Sequence, residues 1–416
     1  MLKSGTIGRR QELSRRAKLA RSIIFKCLSK LDTGHLIVDE KFGDPGHGSQ
    51  HHFGRYEEKG HAEAMITIHD MSVYQRVLSG GSIAAAEAYM DGEWDSPDLT
   101  GLMKVMALNQ ESVDLIEAKT AFFTGMVYKF RHWLNKNSLR QSKENIHSHY
   151  DLGNDFYRLF LDERMLYSSA LFELGNDDLA EAQLSKMDRL CQELELNSGD
   201  HVLEIGTGWG GMAIYMASRY GCRVTTTTIS DQQFHYAQKK IQFLGLENQI
   251  TLLRKDYREL EGRYDKLVSI EMVEAVGKEY LNDFITKCND LIKPEGKMAI
   301  QAITISDQRY QSYSQNVDFI QKYIFPGGFL PSLNALLQST THYSRLNLRS
   351  VKDIGLDYAR TLNHWRKEFE SKIEQVEQLG YDQRFIRMWR YYLCYCEGGF
   401  LAKAISTVQL TFEKQK

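Results

Sequence analysis

HVLEIGTGWGGMAIYMASRYGCRVTTTTIS, residues 201–230, reads as strand, glycine loop, helix and second strand in one run. Val202, Leu203 and Ile205 form a short apolar run of strand character. Gly206, Gly208, Gly210 and Gly211 then supply four positions without a Cβ, where the backbone turns sharply and lies close against a ligand. Met212 to Tyr220 has helical spacing and stops at Gly221, a natural residue to follow a helix end. Arg223 to Ser230 is rich in Val and Thr, as strands are. The run predicts the first βαβ unit of a doubly wound, Rossmann-like α/β domain with a nucleotide-type ligand over its loop.

A dinucleotide fingerprint is G-x-G-x-x-G with an acidic residue at the end of the second strand for the ribose. Here the spacing is Glu204-x-Gly206-Thr207-Gly208-x-Gly210, and Thr228, Ile229 and Ser230 end the second strand. A carboxylate in the loop suits a ligand that carries positive charge and no phosphates. The pattern resembles motif I of S-adenosylmethionine-dependent methyltransferases.

Downstream, Ser230 with Gln233 predicts a capping box. Ile250 to Leu253 predicts the third strand, running into Asp256-Tyr257, and Tyr264 to Ile270 the fourth, with Glu271 and Glu274 just past its end. Lys297 to Ile303 predicts a fifth strand. The stretch from Gln308 to Tyr343, rich in Tyr and Phe, interrupts the α/β rhythm as a lid, an apolar substrate lining or plain core. Upstream, a smaller α-rich domain with a few strands is expected over residues 1–135. Lys136 to Lys143 reads as the linker that opens the second domain, 136–416. His47, His51 and His52 fall in a glycine-rich stretch, 43–54, which reads as a flexible surface loop rather than a metal site.

At 416 residues the chain is long enough for two cores. No run of about 18 apolar residues exists. The start carries no secretory apolar segment, and the six cysteines have no C-x-x-C pair or disulfide spacing. A cytoplasmic protein, peripheral at the inner membrane surface, is expected. Residues 1–30 carry nine Lys/Arg against Glu12, a charge of +8, so the remainder carries −10. With Leu13, Leu19, Ile23, Ile24, Phe25, Leu28 and Leu31 at near-helical spacing, this predicts a basic amphipathic helix on an anionic membrane surface. A solvated basic helix or a transit peptide are the alternatives.

HYDLGNDFYRLFLD (149–162), MLYSSALF (165–172), LEIGTGWGG (203–211), TTTTISDQQ (225–233), SIEMVEAVG (269–277) and QKYIFPGGFLPS (321–332) together make the chain resemble the cyclopropane fatty acid synthase family. The resemblance runs over about residues 60–412 and includes GGSIAAAEAYMDGEWDSPDLTGLM (80–103), similar to the family's lipid-facing domain. It implies a class I methyltransferase fold, S-adenosylmethionine, and phospholipids with unsaturated acyl chains as substrate. Nucleic acid is not expected, and a homodimer is left open. By similarity the cofactor contacts Tyr167, Ser168, the loop from Glu204 through Gly206, Thr207 and Gly208 to Gly210, Thr228, Ile229 and Gln233, with Asp256 and Tyr257 near the adenine.

In that family the alkene attacks the sulfonium methyl, and a bound bicarbonate, held by Cys, Glu, His, Tyr and backbone, takes a proton from the added methyl to close a cyclopropane. Glu274 and Tyr358 are present as catalytic candidates, and Cys396 aligns with a cysteine sometimes assigned as catalytic. A buried structural thiol is the other reading of Cys396. Three positions depart from the pattern: Ser169 replaces the Cys, Ala275 the His beside the Glu, and Gln301 the His on the fifth strand. Bicarbonate is therefore implied only against these departures. Ring formation is the first expectation. Methylation without ring closure, with Glu271 or Glu274 as base, is the alternative, and an inactive lipid-binding module is a reading from another class.

Overall fold

The computed structural model describes residues 15–42, 49–55, 63–110, 112–114, 152–173 and 175–416. The expected linker and boundary at 135/136, together with Lys3, Arg9, Arg10, Leu13 and His47, lie outside them. The chain divides into two compact units. One comprises Met1–Met126 with Gln383–Gly398, the other Val127–Asp382 with Gly399–Lys416. The first unit thus recruits a helix from far along the chain, which no local pattern announces.

In the first unit four strands, β1 (His35–Glu40), β2 (Ser49–Gly54), β3 (Glu63–Ile68) and β4 (Trp94–Asp95), pair in the order β2-β1-β3-β4. The histidine stretch is therefore no free loop: residues 49–54 pair antiparallel with β1, where His51 bonds Glu40 Oε2 (3.2 Å) and His52 bonds His35 (3.2 Å). The helix Arg15–Leu28 buries Ala17, Ala20, Ile24, Cys27 and Leu28. Its apolar stripe is used in packing, so the face left to solvent is the basic one: Arg15, Arg16, Lys18 and Lys26, with Leu19 63 % exposed among them. The helix Ser72–Met90 breaks its helical dihedrals at Gly81 (φ 62°), where the sequence carries Gly80-Gly81. Asp98 caps Leu99–Leu108 by accepting from Gly101 N.

The second unit is the expected α/β domain. Its strands are β5 (His201–Ile205), β6 (Arg223–Thr227), β7 (Ile250–Leu253), β8 (Tyr264–Ile270), β9 (Ile292–Ile305), β10 (Leu346–Asp353) and β11 (Ile405–Lys414), in the order β10-β11-β9-β8-β5-β6-β7. β7, β6, β5, β8 and β9 run parallel, and β11 inserts antiparallel between β9 and β10. Apolar side chains of β5, β8 and β9 build cores on both faces, with Leu203, Leu267 and Ile300 on one and Val202, Val268 and Ala299 on the other. The period of two along each strand divides them. The helix Gly211–Tyr220 ends at Gly221, which is left-handed (φ 68°). The aromatic stretch folds as three helices, Asp307–Tyr313, Phe319–Tyr323 and Leu333–Tyr343, and is tied to the end of β8 by Phe329 N donating to Glu274 O (2.8 Å).

Candidate active site

Strand order reverses between β5 and β8. In open α/β sheets the crevice outside the carboxyl ends of strands at such a point is where ligands bind. Two rims face this crevice, one after β5 and one after β8.

On the β5 rim, Glu204 is buried at 3 % exposure and has one side-chain donor, Thr226 Oγ1 at 2.5 Å, itself 2.6 Å from Thr207 Oγ1. Burial pushes the Glu204 carboxyl up to about 8, and the hydroxyl opposes this only in part. A cationic ligand restores the ionised form of such a group. The loop turns through Gly206 (φ 101°) and Gly208 (φ 52°). A Cβ at Gly206 would meet Met272 Cγ at 3.3 Å, whereas one at Gly208 would enter open space with nothing within 4 Å. That cradle, with a buried carboxyl short of donors beneath it, fits a positively charged nucleoside such as S-adenosylmethionine.

The other expected cofactor residues have defined surroundings. Thr228 Oγ1 donates to Gln233 Oε1 (2.9 Å), while Ser230 Oγ accepts from Gln233 N (3.3 Å). The cap is therefore present, but the Gln233 side chain turns to Thr228 and the reciprocal half of the box is absent. Ile229 is half-buried. Asp256 takes three bonds from Arg258, two from the guanidinium at 2.8 Å each and one from the backbone N at 3.0 Å, and the Tyr257 hydroxyl is buried with no hydrogen-bond partner among the described residues. Tyr167 lies between Tyr157 and Trp365, each ring 5.3 Å away. Ser168 is held by a lysine: Lys186 Nζ donates to its Oγ (2.7 Å).

The β8 rim is built by side chains from scattered segments. Glu271 Oε1 accepts from Ser169 N (2.9 Å) and Gln301 Nε2 (2.8 Å), and Oε2 accepts from the Tyr358 hydroxyl (2.9 Å). Gln301 is aimed by its neighbour on β11: Gln409 Nε2 donates to Gln301 Oε1 (3.0 Å), and Arg189 Nε donates to Gln409 Oε1 (3.1 Å). Glu271 adopts a left-handed backbone (φ 49°), which costs a non-glycine residue about 1–2 kcal/mol. Desolvation pushes its carboxyl up, opposed by the Gln301 and Ser169 donors, the Lys186 charge and Tyr358.

Glu274 keeps part of its length exposed, yet its Oε2 is enclosed with no hydrogen-bond partner among the described residues, while Oε1 accepts from Ile303 N. Desolvation, with the neighbouring Glu271 charge second, pushes it up to about 8. Ala275 is exposed.

Two site residues escaped the sequence reading. Gln409 sits on an alternating strand and resembles any polar position. Lys186 is fully buried and burial lowers it to about 8, against the attraction of Glu271 and Asp162. Its signal is spacing: four residues from both Ala182 and Leu190, it stands on the buried stripe of the helix Leu179–Glu193. Cys396 is half-buried in the helix Gln383–Leu401, on the part that belongs to the first unit, whereas Glu271, Glu274 and Tyr358 belong to the second.

Residues 137–410 match the mycolic acid cyclopropane synthetase family. The tuberculostearic acid methyltransferase of Mycobacterium tuberculosis is 37 % identical over 349 residues, covering 82 % of this chain and 81 % of that protein. The cyclopropane-fatty-acyl-phospholipid synthase of Escherichia coli is 35 % identical over 363 residues, covering 85 % and 89 %. Among solved structures, a mycolic acid cyclopropane synthase complexed with SAH and CTAB aligns with a TM-score of 0.61 at 27 % identity, over 65 % of this chain and 98 % of its own.

Proposed function

The chain belongs to the cyclopropane synthase family of S-adenosylmethionine-dependent methyltransferases, and from that premise we propose that it methylates the double bond of an unsaturated acyl chain in membrane phospholipid without closing a ring. S-adenosylmethionine supplies the methyl: the alkene π pair forms the new C–C bond as the S–C bond breaks, its pair staying on sulfur. The loop from Glu204 to Gly210, with Thr228, Ile229 and Gln233, would hold the cofactor's amino-acid end and ribose. Tyr167, Ser168, Asp256 and Tyr257 would line the rest.

The alkylated chain then carries a cation and must lose a proton. Loss from a neighbouring carbon leaves a methyl or methylene branch, and loss from the added methyl closes a cyclopropane. The observation that carries the reading is the pair of acids Glu271 and Glu274 at the ligand edge, of which Glu271 has both oxygens held by donors and Glu274 has an enclosed oxygen with no hydrogen-bond partner among the described residues. A carboxylate inside the crevice is a proton acceptor that belongs to the chain. Ser169, Ala275 and Gln301 support the branched product, because a hydroxyl, a methyl and an amide replace the groups that the ring-closing pattern uses. Ring closure is the second reading, favoured by Glu274 and Tyr358 standing where that pattern has them.

Mass spectrometry of unsaturated phospholipid incubated with the protein and S-adenosylmethionine tests this. Both routes add one CH2, so the added carbon must be located and tested for a ring. A branch is the expected product, and a product containing only cyclopropane overturns the reading.

We also propose that the protein works at an anionic membrane surface through the basic face of Arg15–Leu28. Replacing Arg15, Arg16 and Lys18 by Gln weakens binding to anionic vesicles, since each cation near the surface contributes about 1 kcal/mol. Unchanged binding removes this helix from the account.

A further inference from the structure

Bicarbonate, which the family pattern implies, does not fit this site. Of the positions that pattern gives to the anion, Ser169, Gln301 and Tyr358 already direct a backbone N–H, an amide and a hydroxyl onto one carboxylate of the chain itself. Both oxygens of Glu271 are engaged, and the amide that reaches it is held in orientation from behind by Gln409 and Arg189. A second anion would need donors that are already taken and would stand beside a carboxylate. Like charges at that separation repel.

We propose that the Glu271 carboxylate is the resident anion of this site and the group that removes the proton in the methylation, so that turnover needs no bicarbonate. This rests on the methyltransferase reading above. Two close carboxyls do not both ionise readily, and the surroundings separate their roles. Three donors and the charge of Lys186 favour the ionised form of Glu271. Glu274 has only backbone N–H groups as donors, and its enclosed Oε2 has no hydrogen-bond partner among the described residues, so it is the member that keeps a proton. In the step itself the C–H bond beside the cationic carbon breaks, its pair becomes the new C=C bond, and the proton passes to Glu271. Glycine would accept the left-handed backbone at 271 without strain.

The test uses the full chain with S-adenosylmethionine and unsaturated phospholipid, in bicarbonate-free buffer and after adding bicarbonate. Wild type is expected to turn over equally in both, within about twofold. Glu271→Gln is expected to lose about 100-fold or more in kcat, the usual contribution of a positioned base. Glu271→Gly relieves the backbone, so it folds, and it opens the three-donor cradle. It is expected to be inactive alone, to regain activity with bicarbonate, and to bind 13C-bicarbonate by NMR where wild type does not.

A wild type that stalls without bicarbonate, or that binds 13C-bicarbonate at Ser169 and Tyr358, overturns the proposal. The NMR titration is independent of lipid turnover. Absence of any lipid product would therefore end the proposed function, while the bicarbonate titration still decides who occupies the cradle.

Discussion

The rim after β5 is mostly backbone, whereas the rim after β8 is mostly side chain. The first is shaped by glycine dihedrals at Gly206 and Gly208 and by one buried carboxyl, Glu204. The second joins Ser169, Glu271, Gln301, Tyr358 and Gln409 from five separate segments. A backbone cradle tolerates little change, because the turn itself depends on positive φ. A side-chain cradle can be refitted by single substitutions that leave the sheet untouched. This difference accounts for a β5 rim that keeps the glycine pattern beside a β8 rim that departs from the family pattern at three positions.

The sharpest attack on the backbone rim is Gly208→Val. At φ 52° a branched residue is strained, and its side chain enters the open space over the loop. Calorimetry should show S-adenosylmethionine affinity reduced about 100-fold or more, the equivalent of roughly 3 kcal/mol. Retained affinity would mean the ligand does not lie over this turn.

On the opposite rim, Tyr358→Phe removes the only side-chain hydroxyl that reaches Glu271 Oε2 among the hydrogen bonds described above. A hydrogen bond to a charged group contributes about 1.5–3 kcal/mol, so kcat should fall by roughly 30-fold. Cofactor affinity should stay at the wild-type value, since the loss is confined to one rim. The acidic limb of the pH–rate profile should also move to higher pH, because Glu271 loses a donor to its ionised form.

Glu204 gives a pH test with a definite sign. Its folded pKa of about 8 means that it is neutral at pH 6.5 and must release a proton to face a cationic ligand. Cofactor affinity in wild type should therefore rise by up to about tenfold per pH unit and level off above pH 8. Glu204→Gln should lack this rise, leaving only the ligand's own titration, which both proteins share. Parallel curves would separate Glu204 from the cofactor.

The smallest effect is on stability. Glu274 is raised from 4.5 to about 8, so between those values the folded protein holds a proton that the unfolded chain has lost. Stability falls across that window as pH rises, by at most about 1.4 kcal/mol per unit for one such group. Glu274→Gln should consequently gain Tm over wild type steadily between pH 5 and pH 8, by at most about 3–6 °C per pH unit at about 2–4 °C per kcal/mol, and no further above it. A gain that grows toward acid would reverse the assignment.

The order of elements in the α/β domain was legible because each carries its own period. Val202 to Ile205 is a buried run of strand length, Tyr264 to Ile270 is another with Leu267 to Ser269 buried at its centre, and Gly221 ends its helix by a local conformational preference. The E-x-G-x-G-x-G loop was legible for the same reason, since every determinant lies within seven residues. Glu271 and Glu274 were visible as acids at the ligand edge. The pairing of 49–54 with β1 was not, because a polar histidine strand at a sheet edge has no apolar alternation to betray it. Near-helical spacing predicts the helix Arg15–Leu28, yet periodicity does not say what covers an apolar stripe, and in the folded chain Ala17, Ala20, Ile24, Cys27 and Leu28 are buried.

By itself, then, the sequence determined the Rossmann-like sheet, the glycine loop after its first strand and, position by position, the departures from the anion pattern. Only the tertiary structure decided which carboxylate occupies the anion cradle. Ser169 and Glu271 stand 102 positions apart and Glu271 and Tyr358 stand 87 apart. Hydrogen bonds are decided by ångströms, and distance along the chain carries no information on that scale until the strands have paired.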